Sequence, residues 1–211
     1  MNRPLVKVCG MTQLQQVTQL VALGVDYAGF IFYAPSPRYV GDKIDPAALK
    51  QLTGIKKAGV FVNAPVEEVL EKIAAYGLDM VQLHGDESPE YCSRLAGTAE
   101  LVKVFRVAGD EDIVLMTNPY AEVTDAFLFD TKAAAYGGTG KKFDWSGLQA
   151  AQLERPYFLS GGIGPDDVNA LQAFLKDHDV YALDVNSKFE TVPGIKDMEL
   201  LEDFLSELEN T

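Results

Sequence analysis

Eight short runs rich in β-branched and aromatic residues punctuate this chain, separated by longer stretches with helical spacing. The runs are LVKVC (Leu5 to Cys9), YAGFIF (Tyr27 to Phe32), KAGVFV (Lys57 to Val62), MVQLH (Met80 to His84), LVKVFRV (Leu101 to Val107), AFLFD (Ala126 to Asp130), YFLSG (Tyr157 to Gly161) and YALDV (Tyr181 to Val185). The intervening stretches carry helix start signals: Thr12 before LQQVTQLVAL, Asp45-Pro46 before AALKQL, Ala64-Pro65 before VEEVLEKIAAY, Ser88-Pro89 before EYCSRLA, Pro165-Asp166-Asp167 before VNALQAFL, and Asp197 before MELLEDFLSEL. Proline recurs at the first helical position, where its missing N–H has no helical partner to lose. The weakest helical segment, Asp110 to Asp125, is interrupted by Asn118-Pro119.

Strands alternating with helices through short connections predict a parallel sheet, because a parallel neighbour is reached only by a crossover. Eight units in 211 residues fit a compact (β/α)8 barrel occupying residues 1–211 as one catalytic domain, with a doubly wound open sheet as the alternative. A hydrophobic content of 47% is enough for one sizeable core. The formal charge of -13 argues against a nucleic-acid or anionic-membrane surface, since phosphate backbones bind through clustered Lys and Arg. No run approaches the roughly 18 apolar residues of a membrane span. The start MNRPLVKVCG lacks the basic-then-apolar order of a signal peptide, so the expected location is cytoplasmic. Cys9 and Cys92 are too few for a disulfide framework and no Cys/His group has zinc spacing, which predicts reduced thiols and no metal.

In a barrel of this kind, chemistry collects at the carboxyl ends of the strands. Those ends read Cys9-Gly10, Tyr33 to Arg38, His84-Gly85, Asp130-Thr131, Gly161-Gly162 and Asp184 to Ser187, whereas the opposite ends carry plainer residues such as Gly24-Val25 and Gly77. A lone cysteine is more often a packing residue than a catalyst. At a barrel mouth, beside a glycine, Cys9 can instead face a ligand, and to act as a base it needs nearby cations or helix dipoles. Asp130 closes the apolar run AFLF, so its carboxylate either meets solvent at the mouth or caps the following loop; apolar neighbours there would favour the protonated, proton-donating form. Arg38, stiffened by the two prolines of YAPSPRYV, reads either as a surface arginine or as a planar cation for a carboxylate. His84 reads as a pocket wall or a satisfied core imidazole. The loops AYGGTGKKFDW (with Gly138 and Gly140), SGGIGPDDV (with Gly161 and Gly162) and DVNSKFE (with Ser187) follow strands six, seven and eight, the order expected of a phosphate site.

Taken together, KVCGMT, GFIFYAPSPRYV, GVFVN, VQLHGDE, FLFDTKA, GGTGKKFDW, FLSGGIGPDDV and the DVNSKFET and PGIKD segments resemble the phosphoribosylanthranilate isomerase family of tryptophan biosynthesis, in the family's order from Lys7 to Asp197. The resemblance implies a monomeric or homodimeric (β/α)8 barrel that rearranges a phosphorylated aminoaldose to an aminoketose without metal or organic cofactor. It implies Cys9 as general base, Asp130 as general acid, Arg38 on the anthranilate carboxylate, His84 and Asp184 lining the pocket, and Gly138, Gly140, Gly161, Gly162 and Ser187 at the phosphate. The acid–base pair would need a thiol that gives up its proton easily and a carboxylic acid that keeps one.

One departure stands out: Lys188 occupies a place where the family commonly has glycine, which alters how backbone amides approach phosphate. The barrel isomerase of histidine biosynthesis, the nearest alternative, has an aspartate where this chain has Cys9. Indole-glycerol-phosphate synthase relies on strand-end lysines, one of which is missing after strand two. A non-catalytic phosphate-binding barrel would need neither Cys9 nor Asp130.

Overall fold

A computed structural model describes residues 3–108, 111–131, 145, 148 and 152–209. Its centre is a closed barrel of eight parallel strands in chain order: β1 (Leu5–Val8), β2 (Tyr27–Ile31), β3 (Lys56–Phe61), β4 (Met80–Leu83), β5 (Glu100–Val107), β6 (Ala126–Thr131), β7 (Tyr157–Leu159) and β8 (Ala182–Val185). The β1–β8 ladder, with Leu5 opposite Ala182 and Val8 opposite Val185, closes the ring and rules out the open doubly wound sheet. Around it lie α1 (Leu14–Ala22), α2 (Pro46–Gln51), α3 (Val66–Tyr76), α4 (Pro89–Ser93), α5 (Ile113–Thr117), α6 (Val168–Asp177) and α7 (Met198–Glu209).

Asp45 and Ser88 cap α2 and α4 through the backbone N–H groups of Ala47 and Tyr91, and Asp197 accepts from Leu200 at the start of α7. Between Asp110 and Asp125 the helix is shorter than expected. Asp112 caps the five residues Ile113–Thr117, and Asn118-Pro119 tightens the chain into a 3-10 turn. Thr12 does not cap α1. Its hydroxyl donates instead to the Gly194 carbonyl at 2.6 Å, tying the first βα connection to a small hairpin that the sequence pattern did not announce. This hairpin, β9 (Glu190–Val192) with β10 (Ile195–Lys196), turns at Gly194, whose φ of 86° suits glycine.

Two apolar layers follow from the period-2 pleat of the strands. Inside the barrel, Tyr27, Ala58, Met80, Val102, Leu128 and Phe158 form one closed cluster, and a larger one packs the outer strand faces against the helices. At the amino-terminal ends, a device repeats on alternate strands. Asp26, Asp79 and Asp125, each just before β2, β4 and β6, accept from the backbone N–H of Val6, Lys57 and Leu101 at 2.7–2.8 Å. The bottom of the barrel is thereby pinned, and the polar residues gather at the other end.

Candidate active site

The pleat that places Ala58, Met80, Leu128 and Ala182 inside the barrel also points Val60, Gln82, Asp130 and Asp184 inward, one step nearer the carboxyl ends. These four, with Cys9, Ile31, His84, Ser160, Gly161, Gly162, Ile163, Asn186 and Ser187, line one cleft at the mouth. The expected residues Cys9, His84, Asp130, Gly161, Gly162, Asp184 and Ser187 are therefore together. Gly138 and Gly140 lie outside the described residues. Among the described residues no group of His, Cys, Asp and Glu side chains suits a metal ion.

Cys9 is 4% exposed and directly follows β1, against Gly29 of β2, where any Cβ would press on its sulfur. Directly beneath it, Lys7 is wholly buried and donates to Asp184 Oδ1 at 2.8 Å. Burial pushes the Cys9 thiol up from its ordinary value, Asp184 adds to the shift, and Lys7 and Lys196 oppose it. The easily ionised thiol expected from the acid–base pairing is thus not what the unliganded protein holds, because desolvation outweighs two nearby cations. Burial would strip Lys7 of its proton, but the Asp184 carboxylate and the Cys9 sulfur outweigh that and raise its pKa. Asp184 is also raised, by burial first and by the neighbouring Asp130 carboxylate, with Lys7 acting against both. Lys7, Cys9 and Asp184 form a cluster that retains protons.

Asp130, at the end of β6, accepts from the Thr131 backbone N–H through Oδ1 at 2.8 Å, and its Oδ2 lies 3.4 Å from His84 Nε2. The contact is close enough for an ion pair but is not aligned as a hydrogen bond, and His84 Nε2 has no partner among the described residues. Gly161 passes so close that a Cβ there would collide with the Thr131 hydroxyl and come within 3.4 Å of Asp130 Oδ1. The loop carrying His84 is fixed from behind by Glu87, which accepts from the N–H groups of Asn63 and Gly85 and pairs with the buried Lys103 at 2.9 Å.

Arg38 is held differently from the expected free cation. Its Nε and Nη2 grip Glu190 of β9 at 2.7–2.9 Å, and Arg38 is absent from the cleft lining. Glu190 also takes Lys196 Nζ at 2.8 Å; burial would raise its pKa, but Arg38 and Lys196 bring it below the ordinary carboxylate value. Lys188 is exposed, its aliphatic stem packed against Gly164. Sequence reasoning missed Lys7, Gln82, Glu190 and Lys196. For the first two a signal existed, since each stands two residues before a recognised residue and so shares its face. For Glu190 and Lys196 it did not, because the hairpin that carries them has no strong pattern.

An eight-stranded parallel barrel whose mouth gathers a thiol, two carboxylates and an imidazole beside a Gly-Gly turn defines a (β/α)8 enzyme with an acid–base site. Comparisons with known proteins narrow the class. The family described as N-(5'-phosphoribosyl)anthranilate (PRA) isomerase matches residues 6–207. An N-(5'-phosphoribosyl)anthranilate isomerase of Parabacteroides distasonis is 42% identical over 208 residues, covering 97% of this chain and 93% of its own. The crystal structure of phosphoribosyl anthranilate isomerase from Thermotoga maritima superposes with a TM-score of 0.87 at 33% identity, covering 99% of this chain and all of the other. A phosphoribosyl anthranilate isomerase solved with reduced 1-(o-carboxyphenylamino)-1-deoxyribulose 5-phosphate superposes at 0.81 and 31% identity, with coverage of 99% and 100%. The chain belongs to the phosphoribosylanthranilate isomerase family, aldose-ketose isomerases of tryptophan biosynthesis.

Proposed function

We propose that Cys9 is the general base and Asp130 the general acid of this isomerisation, with N-(5'-phosphoribosyl)anthranilate as substrate. The observation that carries the assignment is that the two side chains, from strands on different sides of the ring, line the same cleft with no other thiol in it. Asp130 gives its proton to the furanose ring oxygen, the C1–O bond opens, and the charge rests on the anilino nitrogen as an iminium. Cys9 then takes the proton from C2, the electron pair moves toward C1, and the resulting enolamine relaxes to the ketone. Lys7 and Lys196 favour the thiolate when it forms.

The substrate's anthranilate ring fits against Ile31 and Val60, and its carboxylate is assigned to Arg38. Glu190 occupies the Nε and Nη2 edge of that guanidinium, which leaves the Nη1 end for a second carboxylate. The phosphate is assigned to Gly161, Gly162 and Ser187, joined by Gly138 and Gly140. His84 and Asp184 line the pocket. The test is the fluorescence decay of freshly formed phosphoribosylanthranilate with the native protein, Cys9→Ser, Asp130→Asn and Arg38→Ala. Loss of about 10²- to 10⁴-fold in kcat is expected for the first two variants, and a raised KM for the third. Near-native turnover in Cys9→Ser would remove the thiol from the mechanism.

A further inference from the structure

Asn186 lines the cleft but has no role in the assignments above. It follows β8 as Cys9 follows β1. Val8 and Val185 are partners in the β1–β8 ladder, and the Cys9 N–H donates to the Val185 carbonyl at 2.9 Å. Cys9 and Asn186 are therefore neighbours at the mouth, and Ser187 comes next along the chain. Gly10 gives the amide its room, since a Cβ there would come within 2.9 Å of Asn186 Oδ1.

Lys196 decides which way that amide faces. The lysine is 2% exposed, and its Nζ donates to Asn186 Oδ1 at 2.8 Å, to the Asn186 carbonyl at 3.3 Å and to Glu190 Oε1 at 2.8 Å. An ammonium has three hydrogens and no acceptor, so these three oxygens satisfy it. Turned over, the amide would set its NH2 against the ammonium, donor against donor. Burial lowers the Lys196 pKa against the pull of Glu190, and the adjacent carboxylate keeps the nitrogen a donor. With Oδ1 on Lys196, the amide's two N–H bonds remain. Asn186 Nδ2 has no hydrogen-bond partner among the described residues and, unlike Gln82 Oε1 and His84 Nε2, it is not buried.

We propose that Asn186 is a substrate-binding residue whose NH2 group donates to the oxygen on C2 of the ribosyl chain, and that Lys196 is the positioning residue that aims it. This rests on the placement of substrate proposed above. There, C2 gives its proton to Cys9 and the 5'-phosphate lies at Gly161, Gly162 and Ser187, so Asn186 stands between the residues serving the two. The sugar oxygen nearest the thiol is the one on C2, a hydroxyl in the aminoaldose and a carbonyl in the aminoketose. Both forms accept a hydrogen bond, and the carbonyl can only accept, so a donor that carries no proton of its own to lose suits the oxygen through the whole rearrangement.

Ribose 5-phosphate and 2-deoxyribose 5-phosphate differ only in the hydroxyl on C2, so their dissociation constants, measured by isothermal titration calorimetry, isolate this contact. The native protein should bind ribose 5-phosphate about five- to tenfold more tightly. Asn186→Ala should weaken ribose 5-phosphate to the level of the deoxy sugar and leave the deoxy sugar unchanged. Asn186→Asp keeps an oxygen on Lys196 but offers no donor, so it should lose the discrimination as well. Lys196→Met should shrink the ratio even though Asn186 is still present, an effect on one ligand relative to the other that a merely structural lysine would not produce. A native ratio near one, or a ratio that survives in Asn186→Ala, would overturn the role of Asn186, and a ratio that survives in Lys196→Met would overturn that of Lys196. Failure of the native protein to bind either sugar phosphate, or equal affinities in native protein and Ser187→Ala for both, would instead overturn the phosphate placement beneath the inference, so the two failures are distinguishable.

Discussion

Replacing Lys7 by Met tests the electrostatic floor of the site. The Lys7–Asp184 pair has a 2.8 Å contact with side-chain exposures of 0% and 7%, so solvent screens it little. Methionine fills the volume of the lysine stem but leaves Asp184 buried without its counter-ion. Removing one partner of such a pair typically costs about 3–5 kcal/mol, whereas replacing both by apolar groups is near neutral. Lys7→Met should therefore lose about 3–5 kcal/mol in urea unfolding followed by circular dichroism at pH 7 with an unchanged m-value. Lys7→Met/Asp184→Val should recover most of that loss. Asp184 already has a raised pKa in the folded protein. A group raised on folding stabilises below its unfolded value and withdraws that contribution as pH climbs through its folded value. Losing Lys7 raises Asp184 further, so the deficit of Lys7→Met should shrink as pH falls into the acid range. A single variant costing under about 1 kcal/mol, or a double variant as unstable as the single, would refute the reasoning.

Burial pushes the Cys9 thiol up, so in a Cys92→Ala background its alkylation by iodoacetamide should be slow at pH 7 and still rising above pH 9, the unshifted thiol value. Lys196→Met should slow it further, and a rate already levelled at pH 8 would contradict the burial argument. Glu190→Gln removes the carboxylate that holds Arg38 by charge-assisted bonds; KM measured by the fluorescence assay should rise roughly tenfold, the equivalent of about 1.4 kcal/mol, with kcat nearly unchanged. Asp125→Ala takes away the acceptor of the Leu101 N–H, and its exposed position limits the expected loss to about 1 kcal/mol in the same unfolding assay. Gly161→Ala should impair turnover more than stability, because the new Cβ would strike Thr131 and crowd Asp130 at a backbone φ of 94°.

The barrel was legible because buried parallel strands leave continuous apolar runs, and the eight observed strands begin and end within about two residues of those runs. The site was legible where a strand end carries a residue costly to bury, as at Asp130, or a reactive one, as at Cys9. What the runs concealed was polar content inside them. Lys7 and Gln82 sit within apolar stretches, and only the pleat shows that they share the inner face with Asp184 near the mouth. Arg38 was recognised but its company was not, since Glu190 lies 152 positions away and reaches it through a hairpin with Gly194 at its turn. The repeated aspartates at 26, 79 and 125 also went unnoticed. Each is a single residue before a strand, and its function depends on the neighbouring strand's register.

The pleat also separates stability from chemistry inside the barrel. The lower layer, with Tyr27, Met80, Leu128 and Phe158, is apolar and fully buried, so its truncation acts on folding; Phe158→Ala would cost about 3–5 kcal/mol through the cavity left behind. The upper layer is polar and incompletely bonded. Among the described residues Gln82 Oε1 and His84 Nε2 have no hydrogen-bond partner, Cys9 is held away from its ionised form, and Asp130 is contacted rather than locked. Those groups are costly to a closed protein and useful to one that receives a polar ligand, since the substrate can supply the bonds the fold withholds. Lys7 and Asp184 stand at the junction of the two layers. Their ion pair both stabilises the interior and sets the field beneath the thiol, so a substitution there changes folding and catalysis together, while those one layer above or below change one at a time.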